Sequence, residues 1–495
     1  MKVGMSRIYD KGVNHAGRMI AVGVLAALLY LISLRGTFLY HDVDRVIGNS
    51  SLDGGKSVGA IFTKPFPHPG EGPGFYRPLT TSLWLVEKML WKDNPVGWHF
   101  TGWLLHIASS VLFYLLFANI FEGKSRAAFW AALLHATHPV HVESVAWISG
   151  RAGVLGACLF AGSLLTAVKV LSPAREKNPA HPTKTSGERG FDPSIIFLIA
   201  SPLLYALAVL SLEQALILPF VLATINLVLY STADTSRRTD AARLLALYLL
   251  LTIISILYLF LRHKVMGGIS PGAPEPFPGT AVIQAGGPMR ILRNLILAAW
   301  PFRLSVLHAL DHHVPYAGGI VILALTAAIS MASFARHRFL AAGWAFTILG
   351  AVCAALIPPE SRISEGAVVL CATGFCLVLG CLLDSAARVK GASEGIRTAA
   401  VAILLCVMAL FAVRSVTRIS SWKSEVSLWS AETVNHPESG YALNRLGAAY
   451  YSLGNKTAAE QSFRSAMKQE ISFYPAYLNL ARLLMDAGRT DEIRK

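Results

Sequence analysis

Charge is scarce in this chain. Of 495 residues only 15% are Asp, Glu, Lys or Arg, while 54% are hydrophobic, and the mean hydropathy is +0.50. That balance excludes an ordinary soluble domain, and runs of about 20 apolar residues, each enough to cross a bilayer, recur along most of the chain. Other things are missing too. There is no Gly-rich phosphate loop, no CxxC pair and no nucleophile elbow, so the P-loop, thioredoxin-like and serine-hydrolase chemistries are set aside. The six cysteines (Cys158, Cys353, Cys371, Cys376, Cys381, Cys406) lie in apolar runs without metal-ligand spacing and read as core thiols. No small-residue cleavage site follows the first apolar run, which reads as a retained helix.

What is present is positive charge in short loops. The net charge of +15 gathers between the apolar runs. This is the positive-inside pattern and not a nucleic-acid surface, so no nucleic-acid partner is expected. Lys2, Arg7, Lys11 and Arg18 place the N-terminus in the cytoplasm, and Met19–Leu39 leads out. Further spans are expected at Trp98–Phe121, from Ala127 toward His135, at Val154–Val170 and Ser194–Leu210, from beyond the external Ser211-Leu212-Glu213-Gln214 to Tyr230, and at Leu244–Leu261. Four more follow at Gly319–Ala335, Phe339–Ile357, Ala367–Leu383 and Thr398–Val413, giving about 11. Ile291–Leu307 is read as re-entrant or interfacial, which keeps Arg336, Arg338, Arg388, Lys390 and Arg397 on the cytoplasmic side.

The expected organisation is an all-α polytopic membrane domain over 1–420, with a long external first loop at 40–97, and an external helical segment over 421–495. Within that segment, 440–473 and 474–495 repeat with a period of 34. Leu443, Leu446, Gly447, Tyr450, Gly454, Ala459, Phe463 and Ala466, answered by Tyr477, Leu480, Ala481, Leu484 and Gly488, fit the tetratricopeptide pattern. The second copy is incomplete. A lone pair of repeats is marginal, so this one is expected to pack on the membrane domain or to belong to a longer array.

The polar residues worth attention cluster at the outer mouths of the spans. The stretch His135–Arg151, HATHPVHVESVAWISGR, carries three histidines, Glu143, Trp147 and Arg151 between two apolar runs. Ionisable groups in such a place are costly and usually functional. His138-Pro139 ends one helix, because a residue before proline is pushed from the α region. Asp42 and Asp44 lie just past the first span, beside His41 and Arg45. A shielded Asp42 suits a general base, while the plainer alternative is a solvated carboxylate paired with Arg45. His138, His141 and Glu143 are of metal-ligand type but straddle a proline break, so hydrogen bonding is favoured over a metal, and no cofactor is expected. Arg77, Arg151, Arg262 and Lys264 fall on the outer side, where guanidinium forks suit a phosphate and snorkelling toward headgroups is the alternative. Glu213 and Glu365 stand at outer helix ends, as caps or, for Glu365, as a partner of Arg362. Asp311-His312-His313 has no evident partner.

At HPVHVESVAWISGRAGVL the chain resembles the transmembrane and tetratricopeptide-repeat O-mannosyltransferases and their bacterial relatives, membrane glycosyltransferases of the GT-C class. FLYHDVDRVIGN resembles their first-loop acidic motif, FYRPLT their arginine-proline motif and SLEQALILP their Ser-x-Glu segment. YLFLRHKVMGG, ISEGAVVLCATGFCLVLG and WKSEVSLWSAETVNHPESGYALNRLG follow in the same order. The resemblance implies a polyprenyl-phosphate sugar donor and transfer of the sugar, on the outer face, to a hydroxyl of a protein or envelope glycan. It implies Asp42 as base and matches Arg77, His138, Glu143 and Arg151 to the family's motifs; the expected site then has Arg77, Arg151 and Arg262 at the donor phosphate, with His41, Asp44, His138, His141, Glu143, Glu213 and Glu365 around them. A bacterial inner membrane is the expected location, and the repeats would recruit the acceptor. Departures are also plain. His41 replaces the first acid of an Asp-Asp pair, Leu212 replaces a lysine, and Ser364-Glu365-Gly366 with Val369 lacks an arginine and a tyrosine. These losses keep a catalytically degenerate scaffold open as the alternative.

Overall fold

The computed structural model describes residues 15–49, 52, 58–63, 65, 76–121, 125–171, 194–230, 241–268, 287–306, 317–333, 339–356, 365–387 and 394–493. Among them every regular element is helical. The basic loop positions Lys2, Arg7, Lys11, Arg336, Arg338, Arg388 and Lys390, together with Arg362, Ser364 and Asp311-His312-His313, lie outside the described residues.

The chain enters with α1 (His15–Tyr30) and reaches the short α2 (Val58–Thr63) and the amphipathic α3 (Pro78–Trp91) before the long α4 (Pro95–Ile120). Next come α5 (Ser125–Thr137), the six-residue α6 (His141–Ala146), α7 (Ala152–Leu171), α8 (Ser194–Ser211), α9 (Leu218–Tyr230) and α10 (Ala241–Met266). The second half holds α11 (Gly287–Ala299), α12 (Ala317–Ser333), α13 (Phe339–Leu356), α14 (Val369–Ala387) and α15 (Glu394–Ser421). The C-terminal segment is α16 (Glu425–Asn435), α17 (Gly440–Ser452), α18 (Lys456–Gln469) and α19 (Tyr474–Asp486).

Each of the eleven expected spans is a helix, but they differ in length. Eight are long and apolar enough to cross a bilayer, and this is an integral membrane protein. The three others, α5, α9 and α12, are shorter: α5 has 13 residues because Pro139 stops it. Helix α11 also has 13 residues and ends at Ala299, just before Trp300-Pro301. At about 1.5 Å per residue it cannot cross a ~30 Å core. It lies against α13, where Asn294 Nδ2 donates to the Ala351 carbonyl at 3.0 Å.

Lipid offers no hydrophobic drive between helices, so close backbone approach and buried hydrogen bonds hold the bundle. Helices α13 and α14 meet through glycines. A Cβ on Gly374 would stand 2.5 Å from the Thr347 nitrogen. Helices α7 and α8 exchange hydroxyls: Ser163 Oγ donates to the Ser201 carbonyl at 2.8 Å, and Ser201 Oγ to the Ser163 carbonyl at 3.0 Å. Pro202 inside α8 is tolerated beside this pair. Helices α7 and α14 are the most enclosed of the eight, with 67% and 83% of their apolar windows buried, against 17% for α10 and α15. The first two lie at the centre of the bundle and the last two at its periphery.

The C-terminal segment is seated on the bundle. Ser424 and Ser427 form a reciprocal cap that starts α16, and Leu428 and Trp429 then pack with Tyr40, Trp147, Trp422 and Ala442 in one buried cluster. In the repeats, Gly447 lets α17 lie on the Phe463 ring of α18. Gly454 and Gly488, one repeat apart, both turn the chain at positive φ, which costs glycine nothing.

Candidate active site

After α1 the chain passes a 3-10 turn, Leu31–Arg35, and reaches Tyr40 at φ +56°, a left-handed conformation unusual for an aromatic residue. This bend turns Asp42 inward. Its Oδ2 accepts the Leu39 N–H at 3.0 Å. Its Oδ1 accepts both the backbone N–H of Ser149, at 2.8 Å, and the Ser149 hydroxyl, at 2.5 Å. The first-loop motif and the histidine-rich stretch therefore meet at one carboxylate. Asp42 is fully buried, and burial raises its carboxyl to about 6, although the Ser149 and Leu39 donors and Arg45 favour the anion. Arg45 spreads over the Trp147 ring, His41 lies on the Tyr40 ring, and Asp44 points to solvent.

Arg151 is also buried. Its guanidinium forms an ion pair with Glu87 of α3 and donates to the Trp98 carbonyl, at the start of α4. Burial raises the carboxyl of Glu87, and Arg151 opposes that rise. Gly102 lets α4 approach the chain at the end of α6: a Cβ there would stand 2.9 Å from the Val145 carbonyl. Asp42 and Arg151 thus flank one loop, with Ser149 between them.

The histidines form a stack rather than a ligand set. His135, His138 and His141 are buried together with His106 of α4, with ring centroids 4.3 Å apart for His135–His141 and 5.4 Å for His106–His141. His138 Nε2 lies 3.0 Å from the Ala298 carbonyl, which ties the loop to the end of α11. Burial depresses its imidazole to about 4 despite that contact, and burial with the neighbouring histidines depresses His141 as well. Among the described residues, no group of three or more His, Cys, Asp or Glu side chains is arranged to hold a metal ion.

Glu143 does something different. Its two oxygens accept the backbone N–H groups of Glu365 (3.1 Å) and Gly366 (3.3 Å), which begin the turn before α14. Glu365 in turn pairs with Arg418 of α15 at 2.8 Å, and Arg418 reaches Glu432 of α16 at 3.1 Å. Burial opposes charge on Glu432. Arg418, the Ser305 hydroxyl and the Val306 N–H nevertheless hold its carboxyl below the usual range. Glu365 is therefore an ion-pair residue as well as the first of its turn.

A second polar centre gathers on Glu213. Gly153 faces the Gly366 carbonyl, and Gly156, one turn on, faces Leu212. Next to Leu212, Glu213 is fully buried and receives two guanidiniums, Arg77 Nε at 3.0 Å and Arg262 at 3.0 Å. Thr80 and Ser211 share a hydrogen bond at 3.1 Å just above, joining α3 to the end of α8. Arg77 and Arg262, distant in the chain, are thus brought together, while Arg151 sits on the Asp42 side.

Sequence reasoning missed Glu87, Arg418 and Glu432. Glu87 carried a faint signal, as a carboxylate on the same face as Thr80 and Trp84 of an otherwise apolar helix. Arg418 follows an apolar run, where a basic residue reads as a headgroup anchor, and Glu432 hides in a segment that looks soluble.

The comparisons agree in direction. No family model matches the chain. Protein O-mannosyl-transferase TMTC4 of Mus musculus is 24% identical over 90% of this chain and 65% of its own length. Protein O-mannosyl-transferase TMTC2 of Homo sapiens is 36% identical over 30% of this chain and 19% of its own. The chain thus spans less than two thirds of the relatives it matches. Among solved structures, ArnT from Cupriavidus metallidurans bound to undecaprenyl phosphate aligns over 94% of this chain and 78% of its own, with a TM-score of 0.45 and 16% identity. The Archaeoglobus fulgidus oligosaccharyltransferase tethered with an acceptor peptide aligns over 86% and 59%, with a TM-score of 0.46 and 15% identity. With its helical membrane fold and a sequence match running over nine tenths of its length, the chain is similar to the transmembrane and tetratricopeptide-repeat protein O-mannosyltransferases.

Proposed function

We propose that the protein is a GT-C type glycosyltransferase. It moves a monosaccharide from a polyprenyl-phosphate donor to a hydroxyl of a protein or envelope glycan, at the extracytoplasmic face of a bacterial inner membrane and without a metal. One observation carries the reading. The Asp42 carboxylate is held by Ser149 of the histidine-rich loop, in a setting that brings its pKa to about 6. A base poised just below neutral pH is ionised in use and still takes a proton readily.

In the proposed reaction the acceptor hydroxyl gives its proton to Asp42, and its oxygen attacks the anomeric carbon. The bond from that carbon to the donor phosphate breaks, with inversion, and polyprenyl phosphate leaves. Charge grows on the phosphate as the bond breaks, so fixed guanidiniums help most there. Arg77 and Arg262 are assigned this role, since they converge on Glu213 from two segments. Arg151, turned onto Glu87 and the Trp98 carbonyl, holds the Asp42 loop in place. The repeats are assigned the capture of the acceptor.

The scaffold alternative leans on the reduced late motif. Against it, Arg418 supplies Glu365 with a guanidinium from another helix. The test is transfer in proteoliposomes, with a panel of radiolabelled polyprenyl-phosphate sugars (mannose, glucose, galactose) and a membrane-protein acceptor fraction. Wild type is expected to move one of these sugars, and Asp42→Asn to lower the rate by about 100-fold or more. Full activity in Asp42→Asn removes the base assignment, and no transfer by wild type from any donor favours the scaffold.

A further inference from the structure

The strained residue beside Asp42 is held from outside the membrane bundle. Tyr40 adopts φ +56°. Its backbone N–H donates to Oε1 of Glu425, a residue of α16 in the C-terminal segment. The other oxygen of Glu425 accepts the Trp429 Nε1–H at 2.6 Å, which fixes the carboxylate. The Tyr40 ring then packs edge-on against Trp429 at 5.5 Å and also meets Trp147 at 5.5 Å. Arg445 of α17, the first repeat helix, lies over both Tyr40 and Trp429, at 5.5 and 5.3 Å. So one side of Tyr40 touches the loop that holds Asp42 through Ser149, and the other touches the repeats.

A left-handed backbone on a bulky residue costs on the order of 1–3 kcal/mol and persists only where its surroundings over-determine it. The surroundings here belong largely to the C-terminal segment. We infer that Glu425, with Trp429 and Arg445 behind it, is a positioning residue for the base. It clamps Tyr40 in the conformation that aims Asp42 at Ser149, and so makes the reaction depend on how the repeat helices are seated. An acceptor bound to the repeats would then act on the same clamp that sets the base. This rests on Asp42 being the base.

The experiment compares Glu425→Ala, Glu425→Gln and Asp42→Asn in the full-length protein, with the labelled donor that wild type uses. Glutamine keeps an acceptor oxygen for the Tyr40 N–H, whereas alanine keeps none. The expected result for Glu425→Ala is a fall in kcat of about tenfold, the rate equivalent of losing that positioning, with KM for the lipid donor unchanged. Glu425→Gln is expected to restore most of kcat. A merely structural role would lower the amount of folded protein and leave kcat per folded molecule alone, so rates are referred to the folded fraction from gel filtration. If Asp42→Asn is inactive while Glu425→Ala matches wild type in kcat, the clamp is wrong and the base stands. If Glu425→Gln is as poor as Glu425→Ala, the Tyr40 bond is not the cause, and the inference falls. If Asp42→Asn is fully active, the base assignment has failed, and the inference falls with it.

Discussion

Ser149 gives Asp42 two hydrogen bonds to a single oxygen, one from its backbone and one from its hydroxyl, at 2.8 and 2.5 Å. The two residues come from segments separated in the chain by α2 to α6, so this contact records how the fold assembles the site. It also implies that Ser149 tunes the base. Removing the hydroxyl in Ser149→Ala takes away a donor to the anion and leaves the backbone donor. The Asp42 pKa is then expected to rise further, because a hydrogen bond to the charged form had favoured it. The check is the pH profile of kcat/KM, whose acid limb should move to higher pH relative to wild type.

In the wild-type protein that limb itself has an expected place. As the proposed base Asp42 would act only when deprotonated, and burial lifts its carboxyl from about 4 to about 6. Activity is expected to be level above roughly pH 7 and to fall about tenfold per unit below pH 6. An acid limb near pH 4, the value for an exposed carboxylate, would mean that the limiting base is another group. Rates measured from pH 4.5 to 8 in proteoliposomes decide it.

Much of this was legible in the sequence, and the reasons differ by residue. The convergence of Asp42 with the His135–Arg151 stretch followed from two polar segments both placed at outer helix ends, where few other positions are open to them. The spans followed from hydropathy, since lipid admits only apolar, internally bonded segments there. Pairings were not legible. Arg151 was expected at a phosphate and is bound to Glu87, because a helix such as α3 shows its apolar face in sequence but not what it packs against. Glu365 was offered Arg362 as a near neighbour in sequence, while its guanidinium comes from Arg418, two helices later. Charge partners inside a bundle are chosen by tertiary approach, and one sequence carries no record of that.

Arg418 bridges two buried carboxylates, Glu365 and Glu432, and so ties α15 to the turn before α14 and to α16. Removing the cation while leaving the acids is costly: breaking a buried pair typically loses about 3–5 kcal/mol. Arg418→Met is expected to lower the midpoint of thermal unfolding in detergent strongly. Adding Glu365→Gln and Glu432→Gln to the same chain should recover part of the loss, because the uncompensated charges are gone. A single variant as stable as wild type would show that the bridge contributes nothing.

Glycine contacts between α13 and α14 give a stability test independent of any charge. A Cβ on Gly374 would lie 2.5 Å from the Thr347 nitrogen, against backbone that cannot step aside. A Cβ on Gly162 would lie 3.4 Å from the tip of Leu204, an ordinary contact with a flexible side chain. Gly374→Ala is therefore expected to destabilise by about 1–3 kcal/mol, and Gly162→Ala by less than about 1. Unfolding midpoints of the two variants, measured side by side, should separate clearly. Equal midpoints would place α13 and α14 farther apart than described.

The pairing of Arg77 and Arg262 on Glu213 allows a direct test of the donor site. If the two guanidiniums hold the leaving phosphate, they must bind polyprenyl phosphate itself, which is the product. Arg262→Lys keeps a positive charge but loses the planar fork that matches phosphate oxygens. Undecaprenyl phosphate is expected to bind this variant about tenfold more weakly and to inhibit it correspondingly less, with the unfolding midpoint little changed. Glu213→Gln works in the opposite sense. Without its carboxylate the two guanidiniums repel each other, so the fold is expected to weaken, while an added phosphate becomes the favoured counter-charge. Undecaprenyl phosphate should therefore stabilise Glu213→Gln against heat more than it stabilises wild type. Equal stabilisation of both proteins, with unchanged affinity in Arg262→Lys, would make the cluster a structural ion pair and put the phosphate elsewhere.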